Sequence, residues 1–561
     1  MGKEKLQIVA DFETRNSIQD LENGETSVWL WDICDTLIFS HTNGTDIDSF
    51  FDELLKLPPS ICYFHNLKFD GQFILNYLFA NGFFHIEDGE LSEKQFKTLI
   101  TSDGLFYSIK VCLKGKGHKK KHIVEFRDSL KKINGTVEKI AKSFNLPISK
   151  GEIDYTAFRP IGYKPTPEEL SYVQRDTEII ARVLKQEFEK GLTKLTTASD
   201  TMALYKLSVG YFFDYFFPEL DLETDDYIRK SYRGGVVILN EKYKEKVNDF
   251  PVYVFDINSM YPTQMVNKEL PWGFPEYYTG EYEFDEVRPL YICRIKFCGA
   301  IKKGYYPTIL LNTSRYSKLD YLIDTDGELI ELTLTSVDLK RLLLHYDIEE
   351  IEYIDGYKFK GSNGLFYKFI NPIYKSKCET KGAEKELNKL LLNGLYGKFA
   401  TNPRHQRKIP YYEDNMVKYK QSEVTIDKSI YTAVSSFITA YARDYLYENI
   451  QNNYDTFIYC DTDSLHLTEE IKGAEIHDTK LGAFKLEKTY VKSKYLAQKS
   501  YYGIKEDGTV DIKLAGCPKN VKEKIKLETF NFGNEFDGKL LPKNVKGGAL
   551  LLPYTFTIKN R

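Results

Sequence analysis

Apolar runs that end in acidic residues are the most informative pattern in this chain. The opening LQIVADFET predicts a buried strand that delivers Asp11 and Glu13 to the rim of a sheet. The segment ICYFHNLKFDGQFILNYLFANG predicts a strand, a loop and a helix that carries Asp70 near its start and ends at Asn-Gly. Together these elements predict an α/β first half that closes near residue 196.

The segment TPEELSYVQRDTEIIARVLKQEF predicts the best-signalled helix of the chain. Thr166 is its N-cap, Pro167 takes the first helical position and Glu169 completes a capping box. Tyr172 and Asp176 are four residues apart and therefore share one helix face. The helix is thus predicted to present a tyrosine and a carboxylate together.

A second half begins near residue 197 and repeats the pattern of strands that end in aspartate. PVYVFDINSMYP predicts an apolar strand that runs into Asp256 and then a turn. TFIYCDTDSLHL predicts a hairpin with Asp461 and Asp463 at its tip. The second half therefore has an acidic site of its own.

Between these two segments, GAEKELNKLLLNGLYGKF is strongly helical. A helix that extends back far enough would carry a cationic stripe at four-residue spacing. The lysines of that stripe are Lys377, Lys381, Lys385 and Lys389. A solvated face is the usual role of such lysines, but Asn393 and Tyr396 continue the stripe, and a purely solvating face needs neither.

Composition narrows the class of protein without naming a function. A chain of 561 residues predicts about three to five domains. Hydrophobic residues at 42% and charged residues at 28% predict packed cores, and a net charge of −4 neither favours nor excludes nucleic acid, which local basic grooves bind. The basic run Lys114, Lys116, Lys119, Lys120 and Lys121 is interpreted as a solvated hairpin tip.

Cysteine usage and hydropathy bear on the compartment. The eight cysteines contain no CxxC pair, which predicts reduced thiols in a cytosolic compartment. No apolar run reaches the ~18 residues of a membrane span, and the N-terminus lacks the apolar core of a signal peptide. We therefore expect neither membrane insertion nor secretion.

The first half holds four carboxylates from three separated segments, namely Asp11, Glu13, Asp70 and Asp176. Such groups converge only where cations or protonation relieve their repulsion, and oxygen ligands suit Mg²⁺ or Mn²⁺. Two ions ~4 Å apart support phosphodiester hydrolysis, with Tyr172 orienting the attacking water. Each motif alone occurs by chance, so the prediction depends on their order and context.

The second half holds Asp256, Asp461 and Asp463 in the same kind of context. Alone, DTDS has two other interpretations, a calcium loop, whose Gly and terminal Glu are missing, or the metal-binding DxD of a nucleotide-sugar transferase. Lys389 and Asn393 on a helix favour a triphosphate bridged by metals. One metal would lower the pKa of a primer 3′-hydroxyl while the other stabilises pyrophosphate, which is nucleotidyl transfer.

Seven ordered motifs resemble those of the protein-primed family B DNA polymerases of small tailed bacteriophages. DFET, HNLKFDG and YVQRD resemble the three exonuclease motifs. DINSMYP, KLLLNGLYG and YCDTDS resemble polymerase motifs A, B and C, and KSY at 499–501 resembles a motif that contacts the primer end. The resemblance implies an α+β multidomain enzyme, with an RNase H-like 3′-5′ exonuclease domain followed by a right-hand polymerase domain of palm, fingers and thumb with two insertions.

The resemblance also implies roles for individual residues of the first half. Exonuclease metal ligands would be Asp11, Glu13, Asp70 and Asp176, with Tyr172 and Lys150 as catalytic helpers. The frayed primer strand would contact Thr14, Asn66, Phe69, Ser129, Leu130 and Tyr155. Judged alone, Phe69 and Leu130 are more often core residues.

In the second half, the resemblance assigns metals, nucleotide and DNA to separate groups of residues. Metals would be bound by Asp256, Ile257 and Asp463, with Asp461 close by. The incoming nucleotide would contact Tyr261, Lys377, Lys389, Asn393 and Tyr396, with Tyr261 excluding a ribose 2′-hydroxyl. DNA would contact Tyr232, Arg233, Gly234, Gly235, Thr439, Arg443, Lys499 and Tyr501. Read without the resemblance, YRGG is a glycine turn and TAYAR a helix face.

The domain division follows from the order of the motifs. Residues 1–196 are assigned to the exonuclease, 197–267 to the first part of the palm, 268–366 to a first terminal-protein-region insertion, 367–401 to the fingers, 402–430 to a second such insertion, 431–517 to the second part of the palm and 518–561 to the thumb. Loops as long as the insertions normally carry structure or function.

The implied function is replicative, processive and strand-displacing DNA synthesis with proofreading, two Mg²⁺ or Mn²⁺ ions per active site and a terminal protein as primer. The implied partners are primer-template DNA, single-stranded DNA and deoxynucleoside triphosphates, and we expect a monomer in the cytoplasm of the bacterial host. Three alternatives remain: a family B polymerase without protein priming, a DNA-binding exonuclease with an inactive polymerase half, and a non-catalytic DNA-binding or assembly protein. None of the expected carboxylates is substituted, which disfavours the last.

Overall fold

The computed structural model describes residues 5–115, 121–311 and 320–560 of the chain. Three lysines of the basic run, Lys116, Lys119 and Lys120, lie outside the described residues. All eight cysteines lie inside them and none is in a disulfide, as the sequence predicts. No helix within these ranges is both long and apolar enough to cross a membrane.

The first unit is a sheet of eight described strands covered by helices. The strands are β1 (Leu6–Thr14), β2 (Val28–Asp35), β3 (His41–Gly44), β4 (Ser60–Phe64), β5 (Phe84–His85), β6 (Gln95–Ile100), β7 (Phe106–Lys114) and β8 (His122–Asp128). The helices are α1 (Ile18–Asn23), α2 (Ile47–Lys56), α3 (Leu67–Ala80), α4 (Val137–Ser143) and α5 (Pro167–Glu189). The strands pair in the order β3-β2-β1-β4-β8-β7-β6-β5. β1 is parallel to β4, and β4 is parallel to β8, while β2 pairs antiparallel with both β1 and β3. This arrangement agrees with the predicted RNase H-like domain.

The capped helix that the sequence predicts is confirmed as α5. Thr166 Oγ1 accepts a hydrogen bond from Glu169 N at 3.2 Å, and the Glu169 carboxylate accepts one from Thr166 N at 3.0 Å. Reciprocal bonds of this type satisfy two donors that the helix itself leaves free. The start of α5 is therefore fixed, and with it the face that carries Tyr172 and Asp176.

The second unit begins with helices, short strands and an inserted sheet. Its first elements are α6 (Thr197–Val209), α7 (Phe213–Phe216), α8 (Leu222–Arg229), β9 (Val237–Leu239), β10 (Val247–Asn248), β11 (Val252–Ile257) and α9 (Met260–Asn267). The inserted elements are β12 (Leu270–Thr279), β13 (Leu290–Ile301), β14 (Ile330–Thr335), α10 (Ser336–His345) and β15 (Tyr346–Ser362). The four inserted strands pair in the order β12-β15-β13-β14, so the described part of this insertion is structured.

A helical hairpin and two small strand pairs follow. They comprise α11 (Tyr367–Glu379), α12 (Gly382–Phe399), β16 (Arg404–His405), β17 (Lys408–Glu413), β18 (Met416–Gln421) and β19 (Thr425–Ile426). The prediction of one continuous lysine stripe is wrong. Thr380 and Lys381 are extended, and Gly382 has φ +59°, a backbone conformation that suits glycine and interrupts a helix. Lys377 therefore lies on α11, while Lys385 and Lys389 lie on α12.

The remaining elements complete a second large sheet and add a terminal hairpin. They are α13 (Ala433–Asn452), β20 (Phe457–Asp461), β21 (Ser464–Leu467), β22 (Phe484–Ala497), β23 (Ser500–Lys505), β24 (Val510–Leu514), α14 (Lys519–Lys522), β25 (Glu535–Val545) and β26 (Gly548–Thr557). The order β24-β23-β22-β11-β21-β20-β9, with β10 added to β22, places β11 beside the hairpin β20/β21. The hairpin that the sequence predicts is confirmed, with Asp463 in its turn.

Candidate active sites

Four carboxylates of the first unit line one cavity of about 460 Å³. β1 supplies Asp11 and Glu13, and α3, which follows the parallel neighbour β4, supplies Asp70. The capped helix α5 packs on β1 and supplies Asp176. The convergence predicted from sequence is therefore present in the fold.

Burial and mutual repulsion destabilise the charged forms of these carboxylates. Burial, and then the charge of Asp176, raises the pKa of Asp11 to about 7. Burial, and then the charge of Asp11, raises the pKa of Glu13 and of Asp70 well above the usual range. Lys150 Nζ lies 2.6 Å from Asp176 Oδ2 and opposes the rise at Asp176 that burial causes. A cluster of this kind becomes stable in its ionised form when cations enter it.

The donor chemistry of the cavity fits hard divalent cations. Asp176 Oδ1 is buried and has no hydrogen-bond partner among the described residues, so it is free to accept an ion. No three His, Cys, Asp or Glu side chains of the described ranges already stand in a metal-holding arrangement.

Polar and aromatic side chains complete the wall around the carboxylates. The Tyr155 and Tyr172 hydroxyls lie 2.6 Å apart, and the Lys150 ammonium sits 5.3 Å from the centre of the Tyr172 ring. The predicted strand-binding residues Thr14, Asn66, Phe69 and Tyr155 all line the cavity. The cavity thus combines a carboxylate cluster with the residues that are predicted to bind a single strand.

Ser129 and Leu130 do not line this cavity. Ser129 is fully buried; its hydroxyl donates to Phe64 O at 3.1 Å and lies 3.0 Å from His65 Nδ1. The Ser129 hydroxyl is thus engaged inside the wall, and contact of Ser129 with DNA stays a prediction. The hydroxyl supports His65, a lining residue that the sequence reading missed.

The far wall of the cavity comes from the terminal hairpin β25/β26. Its lining residues are Leu540, Pro542 and Leu551. Asn16 fixes this wall by accepting from Leu551 N at 2.7 Å and donating to Leu551 O at 3.2 Å. No local signal marks these residues in the sequence, because they become part of the site only when the hairpin docks on the first unit.

The second carboxylate site forms where β11 meets the turn of β20/β21. Asp256 pairs with Ser464 across the antiparallel strands, and Ile257 N donates to Asp463 O at 2.9 Å. These contacts place Asp256 and Asp463 side by side, with Asp461 on the last position of β20. The prediction that distant strands bring these aspartates together is confirmed.

Burial also raises the pKa values of this pair. The pKa of Asp256 rises to about 7 because of burial and then the charge of Asp463, while Lys377 and Lys389 oppose the rise. The pKa of Asp463 rises to about 6 because of burial and then Asp461. Two adjacent, half-buried carboxylates with raised pKa values fit divalent cations in the same way as the first cluster.

A cationic and aromatic surface faces the aspartates from the helical hairpin. Lys377 Nζ donates to Ser259 Oγ at 2.8 Å, and burial lowers the pKa of Lys377. Lys389 is exposed on α12, as is Asn393 one turn later. The rings of Tyr261 and Tyr396 stack with centroids 4.0 Å apart, joining α9 to α12. Although the lysine stripe is broken, the hairpin still brings Lys377 to this site.

Three of the predicted DNA-contacting residues in the second unit, Arg233, Thr439 and Arg443, are buried in the structure, and their contact with DNA stays a prediction. Arg443 is 1% exposed, and its Nη2 donates to both carboxylate oxygens of Asp338 at 2.8 Å while its Nε donates to Oδ1 at 3.2 Å. Its Nη1 donates to the carbonyls of Arg233 and Gly234. Thr439 is 1% exposed, and the Arg233 guanidinium is buried against backbone carbonyls. A buried guanidinium must be paired, and Arg443 holds the YRGG segment in place through its bonds to the Arg233 and Gly234 carbonyls. The Thr439 hydroxyl donates to carbonyls of its own helix.

The other predicted contacts of the second unit differ in exposure. Gly234 and Lys499 are exposed and Tyr232 is half-buried. Tyr501 is 5% exposed and packs 5.5 Å from the Tyr459 ring, which leaves Lys499 as the accessible member of KSY. A Cβ on Gly235 would lie 2.8 Å from Thr462 Oγ1, so only glycine allows this close approach to the aspartate turn.

Comparison with known proteins agrees with this geometry. The family described as DNA polymerase type B, organellar and viral, matches residues 54–164 and 157–480. The DNA polymerase of Bacillus phage B103 is 40% identical over 98% of this chain and 99% of its own length. The solved structure of Phi29 DNA polymerase complexed with primer-template DNA is 37% identical, covers 99% of this chain and 100% of that one, and superposes with a TM-score of 0.92.

A second solved structure, Phi29 DNA polymerase with primer-template DNA and incoming nucleotide substrates, gives a TM-score of 0.91 at 38% identity, with 99% and 100% coverage. The likeness therefore extends over both carboxylate sites and the insertions. The chain belongs to the type B DNA polymerases and is a DNA polymerase of the bacteriophage kind.

Proposed function

We propose that this polymerase is primed by a terminal protein, proofreads its product, and uses two divalent ions, Mg²⁺ or Mn²⁺, in each of two active sites. Metal-dependent catalysis comes with membership of the family; the identity and number of ions are part of the proposal. The observation that supports the use of two active sites best is the presence of two carboxylate clusters on separate sheets, of which the second faces a cationic helical hairpin.

In the synthetic site, the residues of the chain hold and orient the nucleotide. Asp256, Asp463 and the backbone carbonyl of Ile257 would hold the ions, with Asp461 beside them. Bound ions would activate the primer 3′-hydroxyl and stabilise the leaving pyrophosphate. Lys377 and Lys389 would neutralise charge on the phosphate oxygens.

The nucleotide's sugar and base would meet the opposite side of this site. Asn393 would support the nucleotide beside Lys389 on α12. The stacked pair Tyr261 and Tyr396 would form the floor under sugar and base, and Tyr261 would exclude a ribose 2′-hydroxyl. Tyr232, Gly234 and Lys499 would contact DNA outside the nucleotide pocket.

In the degrading site, Asp11, Glu13, Asp70 and Asp176 would hold the ions that activate water for phosphodiester hydrolysis. Lys150 opposes the rise that burial causes in the pKa of Asp176, and Tyr172 would orient the attacking water. Thr14, Asn66, Phe69, Tyr155 and Leu130 would hold the frayed 3′ end, with Ser129 supporting the wall from behind.

We further propose the domain division predicted from the sequence. The change from the first sheet to α6 supports a boundary at 196, and the β12–β15 sheet supports an insertion at 268–366. The helical hairpin supports fingers at 367–401, and the small strand pairs support a second insertion at 402–430. The second large sheet supports a palm in two parts, 197–267 and 431–517, followed by a thumb at 518–561.

The proposed partners follow from the relatives. Phi29 DNA polymerase has been solved with primer-template DNA, with single-stranded DNA and with nucleotide substrates. We propose the same ligands for this chain, together with a terminal protein, processive strand-displacing synthesis, a monomeric state and action in the bacterial host cytoplasm.

Protein priming predicts a covalent product that ordinary polymerases do not form. Incubation with the cognate terminal protein, Mg²⁺ and dATP labelled on its α-phosphate should label the terminal protein covalently. The label should stay on the terminal protein after denaturation. The adduct should be lost in Asp463→Asn and retained in Asp11→Asn, because only the first variant damages the synthetic site. Extension of a DNA primer without any adduct would exclude protein priming and leave the polymerase assignment intact.

A further inference from the structure

Gln72 occupies a junction of three distant parts of the chain. It lies on α3, two residues after Asp70, and is 6% exposed. Its Oε1 accepts a hydrogen bond from Tyr419 OH of β18 at 2.7 Å and another from Asn544 Nδ2 of β25 at 3.1 Å. One acceptor therefore ties both hairpins, β17/β18 and β25/β26, to the helix that carries a cavity carboxylate.

The two hairpins also touch each other and the first core at this point. Asn544 Nδ2 lies 3.4 Å from Val417 O, so the same amide bridges the two hairpins. Val417 is buried in the core of the first unit, and the Tyr419 ring packs edge-on against Phe106 with centroids 6.2 Å apart. Both α3 and Asn544 therefore contact β18 at this point.

The turn that joins β25 to β26 is fitted closely to the first unit. A Cβ on Gly548 would lie 2.3 Å from the Phe73 ring, and one on Gly547 would lie 2.0 Å from Thr26 O. Thr26 N donates to Lys546 O at 3.1 Å. Glycine at both positions allows an approach that any side chain would prevent.

The position of the β25/β26 hairpin sets the far wall of the first cavity. Leu540 and Pro542 precede Asn544 on β25, and Leu551 faces them from β26. Gln72 does not itself line the cavity. A change at Gln72 would therefore act on the wall through Asn544, and on the β17/β18 hairpin through Tyr419.

We propose that Gln72 is a positioning residue that couples docking of the β17/β18 hairpin to the grip of the proofreading cavity on a DNA 3′ end. The inference rests on the exonuclease function proposed above. With Gln72 in place, both hairpins are held and the far wall confines the strand. Without its acceptor oxygen, Tyr419 OH and Asn544 Nδ2 lose their shared buried partner and the wall loosens.

The test compares steady-state 3′→5′ degradation of a single-stranded oligodeoxynucleotide by Gln72→Met, Tyr419→Phe and Asn544→Ala. Methionine keeps the length of glutamine but lacks its amide oxygen. We expect KM to rise about tenfold in Gln72→Met and about threefold in each partner variant, with kcat within about twofold of wild type, because the wall binds DNA but takes no part in the chemistry. The double variant Gln72→Met/Tyr419→Phe should be no worse than Gln72→Met, since Gln72→Met already removes the hydrogen bond that Tyr419→Phe removes.

Lys546→Ala is the matched control on the same turn. Its ammonium makes a 3.5 Å ion pair with Glu25 at the surface, and removal of such a pair should leave KM unchanged. Tyr419→Phe and Asn544→Ala keep the test decisive if Gln72→Met destabilises α3, because both lie outside the first unit. Unchanged KM in both partner variants, additive effects in the double variant, or a fall in kcat at constant KM would each overturn the inference. Absence of degradation by wild type would instead remove the proposed exonuclease.

Discussion

Replacement of Asp463 by asparagine should reduce nucleotide incorporation at least about a thousandfold, equivalent to about 4 kcal/mol of transition-state stabilisation, while degradation of single-stranded DNA continues. Asparagine keeps the shape of the side chain but not the charge that would hold an ion beside Asp256. The same change removes a cause of the raised pKa of Asp256, so we expect no loss of folding stability. Primer extension and digestion should be measured on one preparation.

Asp507→Asn provides a matched control for this experiment. Asp507 is an exposed aspartate in the turn between β23 and β24 of the same sheet, outside either carboxylate site. Its replacement should leave incorporation unchanged. Retention of wild-type incorporation by Asp463→Asn would contradict the assignment of the synthetic site, and simultaneous loss of digestion would indicate a general defect in folding.

Replacement of Asp11 by asparagine should have the reciprocal effect. We expect digestion of single-stranded DNA to fall at least about a thousandfold, because the cavity loses the carboxylate at the centre of its repulsive cluster, while incorporation of correct nucleotides persists. Removal of this charge should also lower the pKa of Glu13 and Asp70, since Asp11 contributes to the rise in both. Extension from a mismatched primer end should become more frequent when proofreading is lost.

The matched control for Asp11→Asn is Glu168→Gln on the first turn of α5. Glu168 is exposed on the helix that supplies Asp176, so its replacement should change neither activity. Digestion at the wild-type rate by Asp11→Asn would show that the cavity is not the degrading site. Equal losses of digestion and incorporation would show that the two sites are not separate.

Sequence patterns predicted the two sites because short-range rules fix the elements that carry them. The capping box of α5 sets the register of Tyr172 and Asp176, and the hairpin β20/β21 places Asp463 in its turn. Strand ends that carry aspartate then meet wherever the strands are neighbours in a sheet. The resemblance to a known family supplied the order of the domains, which local rules do not contain.

Other features depend on contacts that no local pattern records. Arg443 was predicted to face DNA, yet it is buried against Asp338, a partner 105 residues earlier. Its helix α13 is buried on most of its surface although it contains Ser435, Ser436 and Thr439, so polar residues there do not mark a solvent face. Burial of Arg443 can be recognised only from the three-dimensional structure, because its partner Asp338 lies on the inserted helix α10.

The interrupted lysine stripe shows the opposite case, in which a local rule was available. Four-residue spacing favours one helix from Lys377 to Lys389. Gly382 adopts φ +59°, and the segment forms two helices, α11 and α12. Glycine within a helical pattern destabilises the helix and marks a place where it can end. The far wall of the cavity had no such signal, because Leu551 joins the site from a hairpin more than 500 residues after Asp11.

Binding of manganese in crystals of the protein would test the central claim most directly, since Mn²⁺ replaces Mg²⁺ at oxygen sites and scatters X-rays anomalously. We predict anomalous peaks in contact with Asp256 and Asp463, and separate peaks among Asp11, Glu13, Asp70 and Asp176. Crystals of Asp463→Asn should lose only the first set. Manganese absent from both clusters, or lost from both in that variant, would contradict the existence of two independent metal-dependent centres.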